Sequence, residues 1–101
     1  MIDAKIEEVY FCRAFELIAS LLESASLYVG PDTYTGVMHY LEHGEYELAY
    51  EGLFIDIMNS EFNIYNVDVE SYLSLGLEFN MNNESVLDCH FWERLIEYVS
   101  E

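Results

Sequence analysis

Residues 39–52 read HYLEHGEYELAYEG. The stretch joins two helix-forming runs through a single glycine. Gly44 suits the left-handed turn that closes a helix, and Glu45 opens the next run, where a carboxylate meets the positive end of the helix dipole. The first run extends back to Asp32 or Thr33, either of which can cap a short helix carrying Tyr34, Val37, Met38 and Leu41. The second run continues to about Asn59. At ~100° per residue, Tyr46, Tyr50, Leu53 and Ile57 share one side of it and Leu48 and Ile55 lie nearly opposite. Glu47 and Glu51 fill one strip between these sides, and Glu45 and Asp56 the other. A helix apolar on two sides needs neighbours on both, so it is expected at the centre of a bundle.

The same periodicity extends outward. From Asp3 to about Tyr28, Lys5, Glu8, Cys12, Glu16, Ser20 and Glu23 share one narrow side, while Ile6, Tyr10, Phe11, Ala14, Leu17, Ile18, Leu21, Leu22 and Ala25 spread over the other. Gly30-Pro31 ends this helix. After an extended connector at Phe62–Val67, Asp68 caps a fourth helix with Val69, Tyr72, Leu73, Gly76, Leu77 and Phe79 inward. Asn80–Asn83 is a turn. A fifth helix, from about Ser85 to Val99, is expected to bury Leu87, Phe91, Trp92, Leu95, Ile96 and Tyr98 and to expose Glu93, Arg94 and Glu97. No segment alternates with period two, so the reading is all-α: one domain over residues 1–101, built as a compact array of about five helices.

The chain of 101 residues holds twenty Asp and Glu against three Lys and Arg, a formal net charge of −17. Lys5, Arg13 and Arg94 lie near the ends, so fifteen of the twenty acids, all but Asp3, Glu7, Glu8, Glu97 and Glu101, fall in a stretch without Lys or Arg. Such a surface repels nucleic acid and anionic membranes and attracts a basic protein. The magnitude exceeds the ~2–8 that keeps a small domain soluble, and self-repulsion costs stability. Nine Tyr are more than a core requires; Tyr at an interface keeps one end dry and the other wet. The opening MIDAKIEEVYF is neither a secretory signal nor a transit peptide, and no apolar run approaches the ~18 residues of a membrane span, so the expectation is cytoplasmic. Cys12 and Cys89 fall in helical, mostly apolar register, where a buried free thiol is expected.

His39-Tyr40-Leu41-Glu42-His43 has the H-x-x-E-H spacing of a zinc peptidase family. Gly44 ends that helix at once, and His90 is the one other histidine in the chain. The plainer reading places both imidazoles at a helix C-terminus, where positive charge is favoured. Cys89 and His90 are neighbours and diverge by ~100° on a helix, so they do not form a nucleophile pair. Ser85-Val86-Leu87-Asp88 fits a capping box, with Asp88 reaching back to a free amide. No phosphate loop, nucleotide fingerprint or calcium loop is present. The expectation is no enzyme, no cofactor and no metal; a small zinc enzyme is the remote alternative.

The run Tyr40-Leu41-Glu42-His43-Gly44-Glu45-Tyr46-Glu47-Leu48-Ala49-Tyr50-Glu51-Gly52-Leu53 resembles the helix-Gly-Glu-aromatic-x-x-Ala-x-Glu-x-Leu pattern of small acidic bacterial immunity proteins, those of the Maf type and of contact-dependent growth inhibition systems. The resemblance implies a short, helical, cytoplasmic protein that neutralises a toxin domain, often a nuclease. A nuclease carries a basic groove for phosphates, which an acidic surface can occupy. On this reading Glu42, Glu45, Glu47, Glu51 and Asp56 form much of the contact, with Tyr46 or Tyr50 as anchor, and the protein is a monomer or weak dimer. A nucleic-acid mimic that inhibits a DNA-binding protein would use the same surface.

Overall fold

In a computed structural model of the chain, which describes residues 2–100 and the side chains of 13–100, every regular element is helical: α1 Ile2–Val29, α2 Pro31–Glu42, α3 Tyr46–Met58, α4 Val69–Glu78 and α5 Phe91–Ser100, with a 3-10 turn at Ile64–Asn66. No strand occurs among the described residues. The expectations for Lys5, Ile6, Glu8, Tyr10, Phe11 and Cys12 concern side chains outside the described set. A radius of gyration of 13.2 Å equals the ~13 Å of a compact chain of this length. The longest dimension, 44 Å, is that of α1 alone, whose 28 residues span about 42 Å at 1.5 Å each.

Two glycines with positive φ separate the first three helices. Gly30 (φ 91°) lies between α1 and α2, and Pro31 takes the first position of α2, where its missing N–H costs nothing. The helix therefore begins ahead of Asp32 and Thr33 and has no side-chain cap. At the other end, Gly44 (φ 71°) lets the Glu45 N–H reach back to the Tyr40 carbonyl (2.8 Å) and its own N–H to Leu41 (3.2 Å), satisfying two terminal carbonyls. The chain reverses there, and the Glu45 carbonyl accepts the Ala49 N–H (3.0 Å) that starts α3. α4 closes the same way on Asn80 (φ 62°), with Met81 donating to Gly76 (2.9 Å) and its own side chain buried. Asn80 tolerates this conformation at the position where Gly is usual.

α3 packs against α1, α2 and α5, as its two-sided pattern requires. Ala49, Tyr50, Leu53, Phe54 and Ile57 are buried in it, and Leu48 and Ile55 half-buried. From α1 come Ala14, Ile18, Leu21, Leu22 and Ala25; from α2, Val37 and Leu41; from α5, Phe91 and Leu95. The Phe62–Val67 connector buries Phe62 and Ile64 and winds into its 3-10 turn, capped by Asn63.

Three further expectations need correction. The buried face of α4 is Tyr72, Leu75, Gly76 and Phe79, spaced i, i+3, i+4, i+7, and Leu77 is exposed. The helix rotates toward Gly76 because that residue lets it close on α3 and α5: a Cβ there would lie 2.5 Å from both the Trp92 ring and the Tyr50 hydroxyl. Secondly, α5 starts at Phe91, six residues later than Ser85, so Leu87 and Cys89 lie in the preceding loop and are exposed, as is Ile96. Nor do Ser85 and Asp88 form the expected capping box: Asp88 lies three residues ahead of α5, the Ser85 hydroxyl donates to its carbonyl, and its carboxylate reaches forward rather than back. The Asp88 carbonyl also accepts the Phe91 N–H (3.0 Å), one carboxylate oxygen accepts the His90 N–H (2.9 Å), and the other pairs with Arg94 (3.3 Å). Thirdly, five tyrosine hydroxyls are spent inside the chain: Tyr50 on the Tyr72 carbonyl, Tyr72 on Leu17, Tyr65 on Val99, Tyr98 on Phe62 and Tyr34 on the Glu23 carboxylate.

Gly76→Ala should lower stability by about 1–3 kcal/mol through overpacking. Gly36→Ala, in the α2 interior where a Cβ meets nothing within 4 Å, should raise it by about 0.5–1 kcal/mol through helix propensity. Thermal melts of the two variants must move in opposite directions.

Candidate functional site

The α2–α3 turn and the loop before α5 enclose a cleft of about 370 Å³ lined by Gly44, Glu45, Tyr46, Glu47, Leu48, Phe79 and Val86. Gly44 creates it by reversing the chain, so α3 starts beside the loop rather than continuing α2. Glu45 and Glu47 are exposed at the start of α3, where the helix dipole stabilises their charge. Tyr46 between them is half-buried and meets Phe15 edge-on, ring centroids 6.4 Å apart. Leu48, Phe79 and Val86 supply apolar lining. The cleft thus offers apolar contact beside two carboxylates, a combination that suits a side chain with an aliphatic or aromatic body and a cationic head.

Of the seven residues singled out from the sequence, Glu45, Tyr46 and Glu47 converge here. Glu42 is exposed on the last turn of α2, outside the lining. Asp56 is half-buried near the far end of α3, accepts a hydrogen bond from the Thr33 hydroxyl (2.7 Å), and lines a second cleft with Asp32, Tyr40, Gly52 and Leu87.

Tyr50 and Glu51 belong to the interior, which corrects their placement on the surface. Both have 0% exposure. The Tyr50 ring packs against Phe54, Phe79 and Phe91 at centroid distances of 4.8, 5.7 and 6.1 Å, and its hydroxyl donates to the Tyr72 carbonyl at 2.7 Å. Burial pushes its pKa well above the usual tyrosine value. The Glu51 carboxylate faces the loop before α5 and accepts three consecutive amides: Val86 N–H on one oxygen (2.8 Å), Leu87 (2.8 Å) and Asp88 (2.7 Å) on the other. Glu47 and Glu51 share a helix face, yet the loop covers only the second. The available signal was Glu51's position between Tyr50 and Leu53 in a chain almost without cations: an acid buried there must be held by uncharged donors, backbone N–H or hydroxyl.

His39 and His43 stack at the C-terminal end of α2, ring centroids 4.2 Å apart. The His39 carbonyl, 2.8 Å from His43 Nδ1, can only accept, so Nδ1 carries the proton. Among the described residues no group of three or more His, Cys, Asp or Glu is placed to hold a metal ion. Both described arginines are engaged within the chain, Arg13 with Glu78 (2.9 Å) and Arg94 with Asp88 (3.3 Å). No helix among the described residues is long and apolar enough to cross a membrane. Comparisons with protein families, curated proteins and solved structures returned no match.

Glu51→Ala leaves three amides without their acceptor and should cost about 3–5 kcal/mol. Glu51→Gln keeps one acceptor oxygen and should cost less; urea denaturation gives both values. The raised Tyr50 pKa contributes stability below the unfolded-state value of about 10, and this is lost as pH climbs toward the folded-state value. Tyr50→Phe should therefore cost about 1 kcal/mol at neutral pH and flatten the fall in thermal midpoint above about pH 10.

Proposed function

We propose that this chain is an immunity-type inhibitor, a small acidic scaffold that binds a basic toxin domain, a nuclease, and blocks its substrate groove. The observation that carries the reading is the cleft in which Glu45 and Glu47 flank Tyr46 and an apolar lining. The resemblance of the helix-Gly-Glu-Tyr turn to immunity proteins falls on the same residues.

The physics separates two tasks. At physiological salt the screening length is about 8 Å, so acids distant from the contact, such as Glu70 near the start of α4, act on the approach and little on the bound state. They raise the association rate, which for oppositely charged partners at low salt reaches about 10⁸–10⁹ M⁻¹s⁻¹ against ~10⁵–10⁶ for neutral ones. Holding the complex falls to groups desolvated in the contact, here Glu45, Glu47 and Tyr46 against a lysine or arginine of the toxin. A nuclease groove so filled has lost the cations that bind phosphate, and its nucleic-acid substrate is excluded.

The test is co-expression with basic nuclease domains, beginning with the products of the genes on either side of the one that encodes this chain. The protein should relieve the toxicity of one such domain and bind it in purified form, and Glu45→Lys with Glu47→Lys should weaken binding at least about 10-fold, flatten its salt dependence and leave helicity unchanged. Glu42→Lys, outside the cleft, should alter mainly the association rate. Indifference to all of these domains, combined with binding to unrelated DNA-binding proteins, would replace the immunity reading with nucleic-acid mimicry.

A further inference from the structure

The loop before α5 is shaped from beneath. Because Glu51 draws three successive backbone N–H groups inward, the first two of those residues send their side chains out: Val86 is 64% and Leu87 49% exposed. The grip is on backbone alone and would hold any residue except proline at these positions, so these hydrogen bonds do not require them to be apolar. Leu87 sits over Gly52, its Cδ1 3.7 Å from where a Cβ would stand.

Val86 lines the cleft of Glu45 and Glu47; Leu87 lines the second cleft, of similar volume, about 370 Å³, with Asp32 and Asp56. The two residues form an apolar ridge between two clefts, each carrying two carboxylates. We infer that ridge and clefts together are one docking face for a cationic protein segment, whose apolar side chains straddle Val86 and Leu87 and whose Lys or Arg reach Glu45 and Glu47 on one side and Asp32 and Asp56 on the other. The inference rests on the basic partner proposed above and specifies where it sits. Charge selects this occupant: a second copy would bring −17 against −17, and nucleic acid or an anionic membrane has the same sign. Glu51 is a positioning residue, buried beneath the face it shapes.

The full-length protein, isotope-labelled, is titrated by NMR with two synthetic peptides of equal lysine content, one alternating Lys with Leu and the other Lys with Ser. The Lys-Leu peptide should bind at least about 10-fold more tightly at physiological salt and shift the amides of Gly52, Val86 and Leu87. The double variant Val86→Ser, Leu87→Ser, which keeps the charge, should abolish the difference between peptides while helicity by circular dichroism stays unchanged. Equal binding of both peptides, or a preference that survives the double variant, overturns the docking face and leaves the basic-partner reading standing. If neither peptide binds, both fall. A dimer in sedimentation equilibrium that the double variant dissociates would give the face to a second copy and overturn the cationic occupant.

Discussion

A carboxylate buried without a cation sets the terms for half of this molecule. Taking Glu51 out of water costs several kcal/mol, and its neighbours on α3, Tyr50 and Gly52, offer it no charge. Three charge-assisted hydrogen bonds, worth about 1.5–3 kcal/mol each, offset that cost only if three amides of another segment converge on it. Satisfying Glu51 therefore fixes the path of residues 86–88. That path delays α5 until Phe91, lets Phe91 and Leu95 enter the core beside Tyr50, and leaves Val86, Leu87 and Cys89 outside.

The shortage of cations has a second consequence. Most proteins join distant elements partly through Lys and Arg, which donate to carbonyls and carboxylates. Here that work passes to tyrosine, whose hydroxyls reach from α3 to α4, from α4 to α1, from the 3-10 turn to α5 and from α5 to the connector. A phenol donates without adding positive charge, so the interior is tied together while the exterior stays negative. The high tyrosine content, which suggests an interface when read by composition, is thus largely an internal donor supply, and Tyr46 is the one of the two candidate anchors that reaches a cleft.

The two roles meet at α3. Its first turn carries Glu45, Tyr46 and Glu47 to the surface; one turn further, Tyr50 and Glu51 are wholly inside. One helix therefore supports the core through the same spacing that presents acids at its start, and the loop pinned by Glu51 forms the far wall of the cleft that those acids rim. Fold and candidate site are coupled through backbone hydrogen bonds, so the proposed docking face is preorganised by the protein's own packing.

The sequence by itself determined the all-α class, the number of helices, the Gly30-Pro31 and Gly44 boundaries, the Asn80 turn and the central place of α3. Each of these follows from periodicity or from backbone preferences of a few adjacent residues, which act locally. It also put Glu45, Tyr46 and Glu47 at the start of a helix, because position at a helix start is local information too. Only the tertiary structure decided that Leu75 rather than Leu77 faces inward, that α5 begins at Phe91, and that Glu51 is a buried acceptor while Glu47 is a surface acid. Those outcomes depend on which distant segment covers a given helix face: Gly76 matters because Trp92 and Tyr50 approach it, and Glu51 is buried because a loop 35 residues further along the chain folds back over it. Helical periodicity reports which residues share a face, and carries no record of what will pack upon it.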